Sequence, residues 1–324
     1  MIGTVTLNPS LDEWVELDRL RPGRLNRATH FRRYPGGKGI NVSRVVRELG
    51  GQTCAYGVVG GDDGRILRAM LARLGVPHRF VHVAGCTRNN YKLVSRAPRG
   101  LTEINAPGPR VTPAILARLA GSLTGAVRRV PLWALSGSLP PGCPATVYAR
   151  WIRRLQRRGA RVLLDTSGPA LRAGLAARPW AIKPNRSEAE ELLGRRLRTG
   201  HDEREAAQAL LQRGPAVVML SLGSDGALLA SRQLAGVWRA EGPRVRVRSA
   251  VGAGDSLVGG FLLGWRRMRD LREAFRLGIA CATACVLTPG TELCHRSDVL
   301  RLRPRVRLHL VPEGSAGRRR DRVR

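Results

Sequence analysis

Lysine is almost missing from this 324-residue chain. Of its 56 basic residues, only Lys38, Lys92 and Lys183 are lysine, and the rest are arginine. Acids are scarce as well, 24 in all, so the formal net charge is +32. A charge of that size first suggests nucleic acid or an anionic membrane surface. Wholesale use of arginine for lysine reads instead as compositional drift. It also makes the three survivors informative, because a compact ammonium and a planar fork are not interchangeable where the fit is tight. Aromatic residues make up 4% of the chain. They form no array on which single-stranded bases would stack, so a nucleic-acid role is disfavoured.

Other absences narrow the class further. Cys54, Cys86, Cys143, Cys281, Cys285 and Cys294 contain no Cys-x-x-Cys pair. Cys281 and Cys285 lie four apart on an apolar run and read as small buried residues. The histidines show no metal-ligand spacing. The apolar start, 2–7, is too short for a secretory segment, and no apolar run reaches membrane-spanning length. A reduced, cytoplasmic protein without a membrane segment is expected.

What the chain does have is a pair of glycine-rich turns, each leading into a helix. In the downstream one, Val251-Gly252-Ala253-Gly254-Asp255-Ser256 precedes Leu257, Val258, Phe261 and Leu262, which have the spacing of a helix buried on one face. Glycines let the backbone approach an anion, and unpaired N–H groups at a helix N-terminus favour negative charge. Asp255 at that place is either a helix cap or a base that deprotonates an attacking hydroxyl. In the upstream turn, Gly36-Gly37-Lys38-Gly39-Ile40-Asn41 precedes Val42, Val45, Val46 and Leu49, an amphipathic helix stopped by Gly50-Gly51. Asn41 therefore falls in the first helical turn, either as a local cap or with its amide free for a ligand. This is not a P-loop: Gly39 follows Lys38 where Ser or Thr would be needed for Mg²⁺.

Between the turns, strand-like runs (4–7, 55–59, 130–135, 162–165, 181–183, 217–220) alternate with helix-like ones (66–74, 112–123, 145–158, 187–193, 202–213, 271–287). That alternation predicts βαβ units and a mostly parallel sheet covered by helices on both faces. Ligands bind outside the carboxyl ends of such strands. Asp12, Ser136–Ser138, Asp165, Lys183–Glu188 and Ser221–Gly226 all fall just after a strand. Two stretches break the pattern, about 11–34 and 87–108. In the second, Arg88 and Lys92 share one face of a strand, which suits either solvent or a ligand that already carries a phosphate.

The two turns resemble the signature motifs of the PfkB, or ribokinase-like, carbohydrate kinases. The first fits over its whole reach, through Gly60. The second fits with one departure, since Ala250 stands where the family usually has a hydroxyl or β-branched residue. Further blocks occur in family order, among them Thr6-Leu7-Asn8-Pro9-Ser10-Leu11-Asp12, Asp165-Thr166-Ser167-Gly168 and Lys183-Pro184-Asn185-Arg186-Ser187-Glu188. Thr87-Arg88-Asn89-Asn90 and 102–108 look most like the phosphosugar branch, in its 1-phosphofructokinase form. The resemblance implies a ribokinase-like α/β kinase domain over 1–312, with a small β-lid built from the two irregular stretches. A disordered basic tail is expected over 313–324. The implied activity is ATP-dependent phosphorylation of a ketose phosphate, fructose 1-phosphate first, with tagatose 6-phosphate or fructose 6-phosphate as alternatives. A non-catalytic sugar-phosphate or nucleic-acid binder is the reading from another class. By the same resemblance Asp255 is the general base, and Gly252, Ala253 and Gly254 cradle the transferring group. Asp12, Gly37, Lys38, Asn41, Arg88, Asn90 and Ser138 meet the sugar phosphate, and Lys183, Asn185, Glu188, Ser221, Gly223 and Gly226 meet ATP. Asn185 and Glu188 either cap their own helix or help hold Mg²⁺ through water. A homodimer through the lid is implied, with Arg24 or Arg27 reaching the neighbour's phosphate.

Overall fold

Short apolar runs bounded by glycine and proline become strands here, and the amphipathic runs between them become helices. The computed structural model describes residues 1–312, so the expected tail, 313–324, lies outside the described residues. The strands are β1 (Ile2–Thr6), β2 (Ser10–Leu17), β3 (His30–Gly36), β4 (Thr53–Val59), β5 (His78–His82), β6 (Arg88–Arg96), β7 (Arg99–Asn105), β8 (Leu132–Ser136), β9 (Arg161–Asp165), β10 (Ala181–Ile182), β11 (Val217–Ser221), β12 (Ala227–Ser231), β13 (Val237–Glu241) and β14 (Arg307–Val311). The helices are α1 (Lys38–Glu48), α2 (Gly61–Arg73), α3 (Pro113–Ala126), α4 (Val147–Gln156), α5 (Gly168–Leu175), α6 (Arg186–Leu193), α7 (Gly200–Gln212), α8 (Ala253–Met268), α9 (Leu271–Cys285) and α10 (Arg296–Leu302).

Ten strands form the central sheet in the order β14-β13-β12-β11-β10-β9-β8-β1-β4-β5. Pairing is parallel from β5 across to β11 and antiparallel from β11 to β14. The expected mostly parallel sheet is present, with more strands than the sequence reading supplied. β5 and β14 are edge strands, and β14 is largely exposed. One-sided or edge strands carry charged residues and lose the continuous apolar signal of a buried strand. A separate four-stranded sheet, ordered β3-β2-β6-β7, forms from the two irregular stretches.

Both faces of the central sheet are covered. Val5, Trp133, Leu135 and Leu164 point toward α3, α4, α5, α6 and α7, where Leu119, Tyr148, Leu171 and Leu210 complete one core. Their neighbours along the strands, Ile2, Leu132, Ala134 and Leu163, face the opposite way and pack with α1, α8, α9 and α10. Ala55 and Val59 meet Leu67 and Leu71 of α2. No helix among the described residues is long and apolar enough to cross a membrane.

The position of α8 depends on small residues. A Cβ on Gly259 would lie 2.8 Å from Val45 Cγ1 and 3.2 Å from the Val42 carbonyl of α1. A Cβ on Gly260 would lie 2.9 Å from Gly278 Cα, and one on Gly264 would lie 2.7 Å from Ala274 Cα, both in α9. The helix backbones approach one another directly, with no room for side chains between them. This predicts that Gly259→Val forces α1 and α8 apart and lowers stability by about 1–3 kcal/mol. Gly121→Ala in α3, where nothing lies within 4 Å of an added Cβ, should raise it by about 0.5–1 kcal/mol. Denaturation midpoints that coincide with the parent for both variants would remove glycine from its spacer role.

Candidate active site

α1 begins flush against the end of β1. Gly37 caps it with φ 113°, a conformation open to glycine. A Cβ on Gly39 would lie 2.7 Å from the Val5 carbonyl. α8 likewise starts from a left-handed glycine, Gly252, with φ 82°. Between the two helices Asn41 Nδ2 donates to Asp255 Oδ2 at 2.8 Å. The two turns are thus joined by a hydrogen bond spanning 214 residues. The Ala253 N–H bonds back to the Ala250 carbonyl at 3.3 Å, so Ala250 serves this turn through its backbone. The amides of Gly252, Gly254 and Asp255 have no acceptor among the described residues. They are the groups of this turn left to meet an anion.

Beside this turn two lysines converge on one buried carboxylate. Asp165 ends β9 and is 1% exposed. Its Oδ1 lies 3.1 Å from Lys38 Nζ and 3.4 Å from Lys183 Nζ. Burial works against its charge, but Lys183 and then Lys38 outweigh that and hold its carboxyl below the usual range. Asp165 in turn pushes the Lys38 ammonium above its ordinary value. Asp255 moves the other way, up to about 6. Burial is the main cause and the negative charge of Asp165 the next, opposed by Lys38, the Asn41 amide and Lys183. A carboxyl that gains and releases its proton near neutral pH is matched to general-base work. Asp165 was not among the site residues expected from sequence. Its signal there was an acid closing a strand, with two rare lysines needing an anion.

Lys183 links the anion turn to a neighbouring loop cluster. Its Nζ would lie 3.5 Å from a Cβ on Gly254. Just beyond it, Asn185 and Glu188 form a reciprocal cap on α6: Glu188 N donates to Asn185 Oδ1 at 2.9 Å, and Asn185 N donates to Glu188 Oε2 at 2.8 Å. The capping role is therefore real, and Glu188 Oε1 is left without a hydrogen-bond partner among the described residues. The charge of Glu188 also reaches Lys38. Among the described residues no three His, Cys, Asp or Glu side chains converge as a metal cage. Ser221 pairs with Asn185 as an isolated parallel bridge, and its N–H donates to the Pro184 carbonyl at 3.0 Å. Gly223 and Gly226 shape the turn that follows, where a Cβ on Gly226 would lie 2.2 Å from the Ala240 carbonyl.

On the side of the small sheet, Asp12 is buried and accepts from Ser10 Oγ at 2.8 Å and from Asn90 Nδ2 at 3.3 Å. Arg88 donates to the Asn8 carbonyl at 3.0 Å and the Ala106 carbonyl at 2.9 Å. Asn8 Nδ2 reaches the exposed Ser138 at 3.4 Å. Gly137 ties this group to the first turn, since its Cβ would lie 3.8 Å from Lys38 Cβ. Lys92 departs from the sequence expectation. It is buried, and its ammonium pairs with Glu103 of β7 at 2.9 Å. Of the two cations expected on this face, Arg88 alone lacks a carboxylate partner among the described residues, and burial lowers its proton affinity.

Known proteins resemble this chain in sequence and in fold. The family model for pfkB family carbohydrate kinases matches residues 5–298. A 1-phosphofructokinase of Xanthomonas campestris is 41% identical over 261 residues, 79% of this chain and 81% of that protein. An ATP-dependent 6-phosphofructokinase isozyme 2 of Mycobacterium tuberculosis is 38% identical over 299 residues, 92% of this chain and 87% of that one. Phosphofructokinase-2 from Escherichia coli, solved with potassium, superposes with a TM-score of 0.88 at 33% identity, over 94% of this chain and 98% of that one.

The charge arrangement itself is testable. Asp165→Asn leaves two ammonium groups without their buried counter-charge. It should cost about 3–5 kcal/mol of stability in chemical denaturation. A loss under about 1 kcal/mol, the level of an exposed pair, would mean that solvent already screens this site.

Proposed function

The chain belongs to the pfkB family of carbohydrate kinases, and from that premise we propose that it uses ATP to phosphorylate fructose 1-phosphate, giving fructose 1,6-bisphosphate. The observation that carries this reading is the 2.8 Å bond from Asn41 to Asp255, which joins the first glycine-rich turn to the turn that holds both a carboxyl of raised proton affinity and amides without an acceptor among the described residues. Asp255 takes the proton of the sugar's free primary hydroxyl as that oxygen forms its bond to the γ-phosphorus. The bond from that phosphorus to the bridging oxygen breaks, and ADP leaves. The amides of Gly252, Gly254 and Asp255 hold the charge on the phosphoryl oxygens, with Lys38 and Lys183 nearby. Asp12, Gly37, Asn90, Arg88 and Ser138 bind the sugar phosphate. Asn185, Ser221, Gly223 and Gly226 line the nucleotide.

Glu188 suits Mg²⁺, which takes one or two carboxylates, retains waters and binds substrate phosphates. Its free Oε1, next to the cap it forms with Asn185, is the donor available. When bound, the ion would neutralise charge on the ATP phosphates. A 6-phosphofructokinase activity is the second reading, favoured by the Mycobacterium tuberculosis relative.

We further propose a homodimer through the small sheet. Phe31, Tyr91 and Ile104 are 56%, 43% and 54% exposed. The register places them on the face opposite Asp12 and Asn90. Arg24 and Arg27 are exposed in the connection between β2 and β3 and would reach the partner's substrate. Six free thiols suit a reducing cytoplasm.

Asp255→Asn should lower kcat by about 10²–10⁴ while ATP binding is retained. In the parent, kcat should fall as pH drops through about 6, because protonated Asp255 cannot accept a proton. A coupled assay of fructose 1-phosphate, fructose 6-phosphate and tagatose 6-phosphate, ranked by kcat/KM, decides the substrate. An Asp255→Asn enzyme within a few-fold of the parent would remove that residue from the mechanism. Ile104→Arg should yield a monomer in light scattering with much reduced activity, and an unchanged mass would disprove the sheet-to-sheet dimer.

A further inference from the structure

Arg44 stands one helical turn after Asn41 on α1, and its guanidinium gathers groups from three parts of the chain. Nη1 donates to the Pro35 carbonyl at 3.1 Å and to Asn41 Oδ1 at 3.2 Å. Nη2 donates to the carbonyls of Thr291 at 3.1 Å and Glu292 at 3.4 Å. None of these acceptors is a carboxylate. Burial lowers its proton affinity, to about 10, so it is still a cation at neutral pH. Asp12, Cys285, Tyr34 and Cys294 are the titratable groups that face it. Its bonds to Pro35, Thr291 and Glu292 tie segments together. The bond to Asn41 does something else.

We propose that Arg44 is a positioning residue for the proton transfer: by occupying Asn41 Oδ1 it keeps the NH₂ end of that amide turned toward Asp255 in both states of the carboxyl. This rests on Asp255 being the base. A side-chain amide has a donor end and an acceptor end. Beside ionised Asp255 the donor end faces it in any case, at 2.8 Å. Once Asp255 has taken the substrate's proton, an unrestrained amide would rotate and accept from the new O–H. That would stabilise the protonated acid and slow its return to a base. With Arg44 in place, the same rotation would set NH₂ against guanidinium, donor against donor. The amide therefore favours the ionised carboxylate throughout the cycle.

The main charges around Asp255 lie on other residues. Asp165 at the end of β9 raises its proton affinity, and Lys38 of α1 and Lys183 after β10 lower it. Cys285 of α9, which faces both Asp255 and Arg44, stays neutral because burial pushes its thiol up to about 12. A change on removing Arg44 thus reports the Asn41 amide. Arg44 also lines a cavity of about 790 Å³, together with Tyr34, Pro35, Glu292 and Leu293. Truncation would open the Arg44 position to that space, where a small guanidinium ion fits.

The experiment is the pH profile of kcat for Arg44→Ala, Arg44→Met and Arg44→Lys beside the parent. The Ala and Met variants should show an acidic limb displaced upward by about half to one pH unit, with kcat converging on the parent above pH 8. Arg44→Lys, which retains a cationic donor, should stay close to the parental limb. Millimolar guanidinium chloride should move the limb of Arg44→Ala back toward the parent and leave Arg44→Met unchanged, because methionine fills the vacated space. Arg44→Met also decides the matter where the alanine variant does not fold. A folded Met variant that loses activity equally at all pH values, with no displaced limb, makes Arg44 purely structural and overturns the inference. Near-parental activity in Asp255→Asn would overturn the base assignment itself. An inactive Asp255→Asn with an unmoved Arg44→Met limb overturns only the role of Arg44.

Discussion

Asp165 carries a negative charge in a place that water barely reaches, 1% exposed, with two ammonium groups on one of its oxygens. A buried carboxylate in that position is tolerated because Lys38 and Lys183 arrive from separate segments to compensate it. The consequences extend outward. The first glycine-rich turn is held to the strand end through Lys38. The segment after β10 is held there through Lys183. Asp255, close to the same carboxylate, is pushed toward a neutral-pH titration by burial and by like charge. One fixed anion thus organises two cations and tunes a neighbouring acid.

Placing those groups within reach is a matter of backbone packing. α8 carries Asp255, and it lies between α1 and α9 at a separation that glycine alone permits at 259, 260 and 264. Rigid elements, more than loops, set the bond from Asn41 to Asp255. Such a scaffold holds catalytic geometry without reorganising at each turnover. The short strands and tight turns at the carboxyl edge of the parallel sheet bring the remaining polar groups to the same side, as the topology of such sheets requires.

The arginine-rich composition acquires a clearer meaning in the folded chain. All three lysines are in ion pairs with carboxylates, Lys38 and Lys183 on Asp165 and Lys92 on Glu103. Lys183 and Lys92 are buried. A compact ammonium fits where two cations must share one oxygen, and a planar fork does not. Arg44 shows the complementary case, a fork whose several N–H groups satisfy four acceptors at once.

Much of this was legible in the letters. The alternation of apolar and amphipathic runs implied a parallel sheet with two covered faces, because that period follows from local geometry. Glycine, asparagine and aspartate at the two turns implied an anion site beside a polar grip, because positive φ and free N–H groups are local properties as well. Strands β5, β12, β13 and β14 were missed: exposure on one side dilutes the apolar pattern of β5, β13 and β14, whereas β12 is a short, fully buried run that follows a glycine turn and was not read as a strand. The convergence of Lys38 and Lys183 on Asp165, the pairing of Lys92 with Glu103, and the closing of the Thr291 and Glu292 carbonyls on Arg44 were beyond reach for a different reason. Distance through space between residues far apart in the chain depends on how helices and strands pack, and no window of sequence contains it. The chemistry available to this protein was written locally; which charge meets which was decided by the tertiary structure.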